Sequence, residues 1–339
     1  MHPVRSSVRA AVIASTLGAA LLATRPAHAF CRIASAEMPA DFKQDQACFM
    51  PDGAKELFWR NACVGYSLQR DASQQVTLDQ ATAAVARAFA KWSSVVCADG
   101  GHPSIAPDDL GPVECSAVQY NETQPNQHVI IFRDDVWPYA GDTFNTLGLT
   151  RMKFDKDTGE IFDADMEINA ADHTLIVAGT PQPGEYLLDN VLTHEVGHFL
   201  GLAHSTDPQA IMFALYHGES SQLSADDVTG ICTIYPSAGQ RATSDGPVNE
   251  DPCDPTPRHG FASACGSPDG GIVVTETVVP MHRSSCSVSR LGSSPEGLPF
   301  LGGIVCAQTV WQRRTRRTKA LRTQVTIKQR LRQLLMAIS

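Results

Sequence analysis

Apolar and polar positions between Cys63 and Pro236 switch between the strand period of two and the helix period of about 3.6, and the switches mark the elements. Cys63 to Leu68 alternates as a strand. Thr77 and Gln80 form a capping-box pattern ahead of Ala81, Val85, Ala88, Phe89 and Trp92, whose helical spacing predicts a long core helix. His128 to Phe132 and Leu147 to Phe154 read as strands. Next, Ala164, Met166 and Ile168 alternate with Asp163, Asp165, Glu167 and Asn169, which predicts a strand with one buried and one acidic face. A helical stretch begins near Glu185 or Tyr186 and stops at Gly201. A last helix follows Ser224, with Asp227 as its box partner, Val228, Ile231, Cys232 and Tyr235 on one face, and Pro236 as its end. Strands followed by helices predict an α+β fold, with a twisted mixed sheet, a long core helix and two further helices.

The flanks differ in kind. Arg5 and Arg9, an apolar run from Ala10 to Ala23 and the small-residue site Ala27-His28-Ala29 read as a secretory signal peptide over 1–29, cleaved after Ala29. All ten cysteines lie beyond that cut, an even number that suits disulfides in an oxidising compartment. Residues 30–56 show no strong periodicity, and Cys31, Cys48 and Cys63 are expected to staple this segment to itself or to the adjoining domain. Cys97 and Cys115 bracket a loop and are candidates for a bridge. After the core at 57–236, Ser, Gly, Pro and Asp dominate, so 237–285 reads as a linker. The stretch 286–339 combines Cys286, an apolar run from Leu298 to Trp311, and a basic tail. From Gln312 onward that tail holds nine Lys or Arg and no acid, so a net charge of -9 overall leaves -18 for the rest. The stretch resembles the sorting tails of bacterial surface proteins, and association with an anionic membrane surface and disorder are both open readings.

The chemistry is concentrated in residues 194–204, His-Glu-Val-Gly-His-Phe-Leu-Gly-Leu-Ala-His. His194 and His198 are one helical turn apart and can reach one tetrahedral Zn²⁺. Gly201 can reverse the chain so that His204 becomes the third ligand, leaving a fourth position for water. Glu195, rotated about 100° from His194 around the helix, is placed to take that water's proton without ligating the metal. A lone pair of histidines would more often be ordinary helix residues, but five specified residues at the full spacing make coincidence the weaker reading.

These residues resemble the metzincins and, within them, the matrixin type of secreted zinc endopeptidase, over roughly residues 55–236. His204 is followed by Ser205, Met212 in Ala-Ile-Met-Phe matches the methionine turn beneath the metal, and Leu223 to Tyr235 looks like the closing helix. Thr158 to Asn169 is similar to bacterial matrixin-like proteins. The resemblance implies a metzincin-like catalytic domain with one catalytic zinc, and it makes Tyr216 a substrate-pocket candidate. Ala214 stands where a proline is common. No histidine lies between Val129 and Asp172, so the upstream ligand set of a second, structural zinc is not expected. Asp155, Asp157, Asp163, Asp165 and Glu167 are calcium candidates, with a solvated acidic face as the plainer reading. Cys265-Gly266-Ser267-Pro268-Asp269 resembles the family's latency string, and a disulfide is the ordinary alternative for its cysteine.

The expected protein is thus a secreted or cell-surface zinc metalloendopeptidase acting on protein or peptide substrates as a monomer, without nucleic acid. Two rivals are a catalytically silent zinc-binding surface protein and an amidase acting on cell-wall peptides.

Overall fold

The computed structural model describes residues 29–139, 146–216, 222–266 and 274–275. The signal-peptide reading, Cys286, the apolar run and the basic tail lie outside these residues, as do Ser267 to Asp269 of the latency string.

A six-stranded sheet is built from β2 (Cys63–Leu68), β3 (Ala106–Asp109), β4 (Val129–Phe132), β5 (Gly148–Phe154), β6 (Ile161–Ile168) and β12 (Val274–Thr275). Its order is β12-β5-β6-β4-β2-β3. The β6-β4-β2-β3 pairings are parallel, whereas β5 runs antiparallel to β6, and β12 runs antiparallel to β5. Short pairs join β1 (Cys31–Arg32) to β9 (Leu202–Ala203), β7 (Thr174–Ile176) to β8 (Glu185–Leu187), and β10 (Gln240–Arg241) to β11 (Val248–Asn249). The helices are α1 (Leu78–Ser93), α2 (Leu188–Phe199) and α3 (Ala225–Ile234). The α+β architecture with a mixed sheet is the one anticipated from the hydrophobic pattern.

Helix α1 starts where its capping box places it: Gln80 N–H donates to Thr77 Oγ1 at 3.3 Å, and Thr77 N–H donates to Gln80 Oε1 at 3.1 Å. Its apolar stripe, ending at Phe89 and Trp92, is buried against α2, and Trp92 Nε1 donates to the Thr193 carbonyl at 2.8 Å. Gly197 makes this approach possible, because a Cβ there would overlap Met212 Sδ and come within 2.8 Å of Trp92 Cζ2. Helix α2 begins at Leu188 rather than at Glu185 or Tyr186, since residues 185–187 are drawn into β8 by pairing with β7.

The reading of β6 as half acidic and solvated needs correction. Asp163, Asp165 and Glu167 are 3%, 0% and 0% exposed, because the segment before β4 and the arginines beside it cover that face. Asp165 accepts from Val129 N–H at 2.7 Å and Gln119 N–H at 3.0 Å, and Glu167 pairs with Arg133, Arg151 and Tyr139.

The disulfides meet expectation at Cys31–Cys48 and depart from it at Cys97 and Cys115. Cys97 pairs with Cys232 of α3 and Cys115 with Cys265, not with each other. Cys31–Cys48 closes the N-terminal segment on itself, and Cys63 pairs with Cys253. Two of these bridges thus fasten part of the stretch read as a linker. Arg241 does the rest. Its guanidinium is fully buried, donating to the carbonyls of Trp59 (2.7 Å), Asn61 (2.8 Å) and Ser104 (2.9 Å), and it lies against the Tyr235 ring. Composition marks such a segment as loose, but a buried cation with this many acceptors ties it to the strand edge.

Candidate active site

Helix α2 carries His194, Glu195 and His198 and ends at Phe199; two residues on, Gly201 has a φ of +95°, a left-handed conformation suited to glycine. A side chain there would also meet the Leu57 carbonyl at 2.8 Å. The reversal sends the chain into β9 and brings His204 back toward the helix. The three Nε2 atoms lie 3.1 to 3.2 Å from one another. Ligands on a tetrahedral zinc at about 2.0–2.1 Å would stand about 3.3 Å apart, so the donor set fits that ion closely.

Each ring is held from behind. His194 Nδ1 donates to the Ile211 carbonyl at 2.7 Å, His198 Nδ1 to the Leu202 carbonyl at 2.8 Å, and His204 Nδ1 to Gln44 Oε1 at 2.5 Å. Because an oxygen acceptor fixes the proton on Nδ1, the Nε2 lone pairs converge. Burial, then the neighbouring imidazoles, hold His198 and His204 well below the ordinary histidine pKa and keep them neutral.

Glu195 is 1% exposed and points to β5, where Thr150 Oγ1 donates to its Oε2 at 2.7 Å. Burial pushes its pKa up to about 8, with the Thr150 bond opposing the shift. Met212 is 2% exposed with its Sδ against Gly197 of α2, and Asp227 of α3 accepts from Ile211 N–H (2.7 Å) and Met212 N–H (3.1 Å). The turn that presents the Ile211 carbonyl to His194 is therefore set by α3. Asp226 accepts from the N–H groups of Ala29 (2.9 Å) and Phe30 (2.8 Å) and from Ser205 Oγ (2.6 Å). Tyr216 Oη accepts from Leu187 N–H at 3.0 Å and its ring packs edge-on to Tyr186, so it steadies the start of α2.

Among the described residues, these three histidines form the single group of three or more metal-ligating side chains close enough to share an ion. The calcium candidates are not brought together. Asp155 caps an exposed turn, accepting from the N–H groups of Asp157 and Thr158, while Asp163 and Asp165 are buried on β6. Cys265, being bonded to Cys115, has no thiolate to offer a metal, which removes the latency reading of that string. Gln44 was missed in the sequence because it lies 160 positions from its partner, and no local spacing connects the two.

The family model for matrixins matches residues 58–236, more than half of the chain, and the chain belongs to that family. Among curated relatives, it is 40% identical over 80 residues to the neutrophil collagenase of Homo sapiens, covering 23% of this chain and 17% of the relative. It is 30% identical over 160 residues to metalloendoproteinase 1 of Glycine max, covering 46% of each. The interstitial collagenase of Sus scrofa is 43% identical over 72 residues, 21% of this chain and 15% of the relative. The chain thus spans less than half the length of each of these relatives.

Proposed function

We propose that the protein is a zinc-dependent endopeptidase, exported from the cell, that hydrolyses internal peptide bonds of proteins or peptides. The observation that carries this reading is the convergence of three imidazole Nε2 atoms beside a buried carboxylate outside that donor set. His194, His198 and His204 would hold the ion; bound zinc supplies a Lewis acid that polarises a carbonyl and makes water acidic near neutral pH. Glu195 takes the proton of the attacking water and later delivers it to the leaving amine. The elevated proton affinity that burial gives Glu195 suits both halves of that transfer.

Substrate would lie extended along the edge of β5, pairing backbone to backbone, the mode by which proteases of many kinds hold unfolded chain. A silent zinc-binding protein would have no use for a buried, hydrogen-bonded Glu195, and an amidase on cell-wall peptides would share the chemistry and differ in the pocket. Zinc is the metal of this reading, and the donor set that supports it is His194, His198 and His204. The working form is a monomer, and the basic tail adds affinity for anionic membrane surfaces.

The test is zinc-loaded protein against a peptide library, with Glu195→Ala and a chelator as controls. Cleavage that falls by about 10²–10⁴-fold in Glu195→Ala with zinc content unchanged supports the assignment. No cleavage of any peptide by correctly metallated protein would overturn it. Cell fractionation tests the location: full-length protein wholly in the medium would refute the membrane association.

A further inference from the structure

The N-terminal segment is more than a leader into the catalytic domain. Phe42 N–H donates to the Pro39 carbonyl (3.0 Å) and Gln46 N–H to the Lys43 carbonyl (3.1 Å), so residues 39–46 fold into two turns, and Cys31–Cys48 closes the loop at its base. The loop is thereby held against the third histidine. Gln44, a polar side chain only 8% exposed, accepts the Nδ1 proton of His204, a task that backbone carbonyls perform for His194 and His198.

The same loop carries an aromatic pair. Phe42 and Phe49 pack edge to face with ring centroids 5.3 Å apart, and both are only half-buried. Together with Met38 they face Met152 and Phe154 of β5 across a hollow that opens beside His204. The loop thus turns three half-buried apolar side chains toward a hollow beside His204 that two buried side chains of β5 complete, an arrangement suited to holding a small apolar group.

The edge of β5 gives this hollow a direction. β12 pairs antiparallel there, with Val274 opposite Met152 and Thr275 opposite Arg151, so this edge accepts an antiparallel strand at the residue that lines the hollow. A substrate laid the same way runs from the Phe154 end toward Gly148 and Glu195. Its residues on the N-terminal side of the scissile bond then pass the Phe42 and Phe49 rings.

We propose that the Cys31–Cys48 loop is a wall of the active site: Gln44 is a positioning residue for His204, and the Met38, Phe42 and Phe49 face is a subsite for an apolar side chain of the substrate, N-terminal to the scissile bond. The subsite half rests on the endopeptidase reading, whereas the Gln44 half does not.

Zinc affinity by chelator competition tests the first half without any activity assay. Gln44→Ala should weaken zinc binding by about 10- to 100-fold, and Gln44→Glu, which offers the same kind of acceptor oxygen, should restore it. Unchanged affinity in Gln44→Ala, or a loss that Gln44→Glu fails to restore, overturns the positioning role. For the second half, matched peptides carrying Leu, Phe, Asp or Lys before the scissile bond are cleaved by wild type and by the Phe42→Ala/Phe49→Ala protein. Wild type should prefer the apolar peptides, and the double variant should lose about 10-fold of that preference with zinc affinity unchanged. A preference identical in the two proteins overturns the subsite, while cleavage of none of the peptides by zinc-loaded wild type would sink the endopeptidase reading and leave the zinc measurement on Gln44 intact.

Discussion

Gly148 of β5 lies so close to Glu195 of α2 that a Cβ at position 148 would come within 2.5 Å of the carboxylate Oε1 and 2.8 Å of Cγ. The proposed base therefore owes its position to a missing side chain on the facing strand. Gly148→Ala should push the carboxylate off its bond with Thr150 and lower kcat by about 10²-fold, with KM and bound zinc little changed. A kcat within about twofold of wild type would show that Glu195 does not act from this position.

Gly197 plays the corresponding part on α2, between His194 and His198 in sequence. Gly197→Ala drives a methyl group into Met212 Sδ and the Trp92 ring, both of which are buried and cannot retreat into solvent. The expected loss is about 1–3 kcal/mol of stability, seen as a lower urea midpoint at unchanged m. The Met212→Ala/Gly197→Ala pair should recover part of that loss, because the sulfur is then gone.

Acid should weaken the fold through His128, which lies outside the proposed zinc site. Its ring is fully buried, Nδ1 donates to the Gly65 carbonyl at 2.7 Å, and burial lowers its pKa to about 4 from 6.5. Asp163, 3.8 Å from Nε2, has its own carboxyl pKa raised by burial and by neighbouring Asp165. A histidine pKa depressed in the folded state gives stability that is complete above pH 6.5 and is lost as pH falls through 4, about 3 kcal/mol in all. Denaturant melts of metal-free protein between pH 7 and 4 should lose stability less steeply in His128→Asn than in wild type, the residual slope coming from His198 and His204, whose pKa values burial also lowers. An equal slope in both proteins would assign the acid sensitivity elsewhere.

β12 covers part of the β5 edge along which substrate is proposed to pair. A chain ending at Gly266 keeps Cys115–Cys265 and all other bridges among the described residues but lacks this strand. Its KM for peptide substrates should fall by roughly tenfold, since a tethered competitor is removed, and amide protection on the β12-facing edge of β5 should drop. Equal KM in the two chains would mean that β12 yields to substrate without cost.

The three convergent histidines, the buried Glu195 beside them and the elements that carry them were legible in the sequence because their logic is local. The spacing of His194 and His198 is one helical turn, Gly201 turns the chain just past that helix, and the Thr77 and Ser224 capping boxes mark where α1 and α3 begin. Hydrophobic period likewise identified β2, β4, β5 and β6 as strands, since a strand or helix must present its apolar positions on one side.

Tertiary structure alone decided what depends on residues far apart in the chain. Cys115 finds Cys265 across 150 positions, Gln44 finds His204 across 160, and Arg241 reaches the carbonyls of Trp59 and Asn61 from a segment whose composition looks like a linker. The acidic positions of β6 look solvent-facing by period, yet Arg133, Arg151 and the N–H groups of Gln119 and Val129 come from other segments to cover them. Local spacing thus determined the convergent histidine triad of this protein, whereas the walls and bracing of the site arise from packing, in which a side chain's partners are set by the course of the whole chain rather than by its neighbours in sequence.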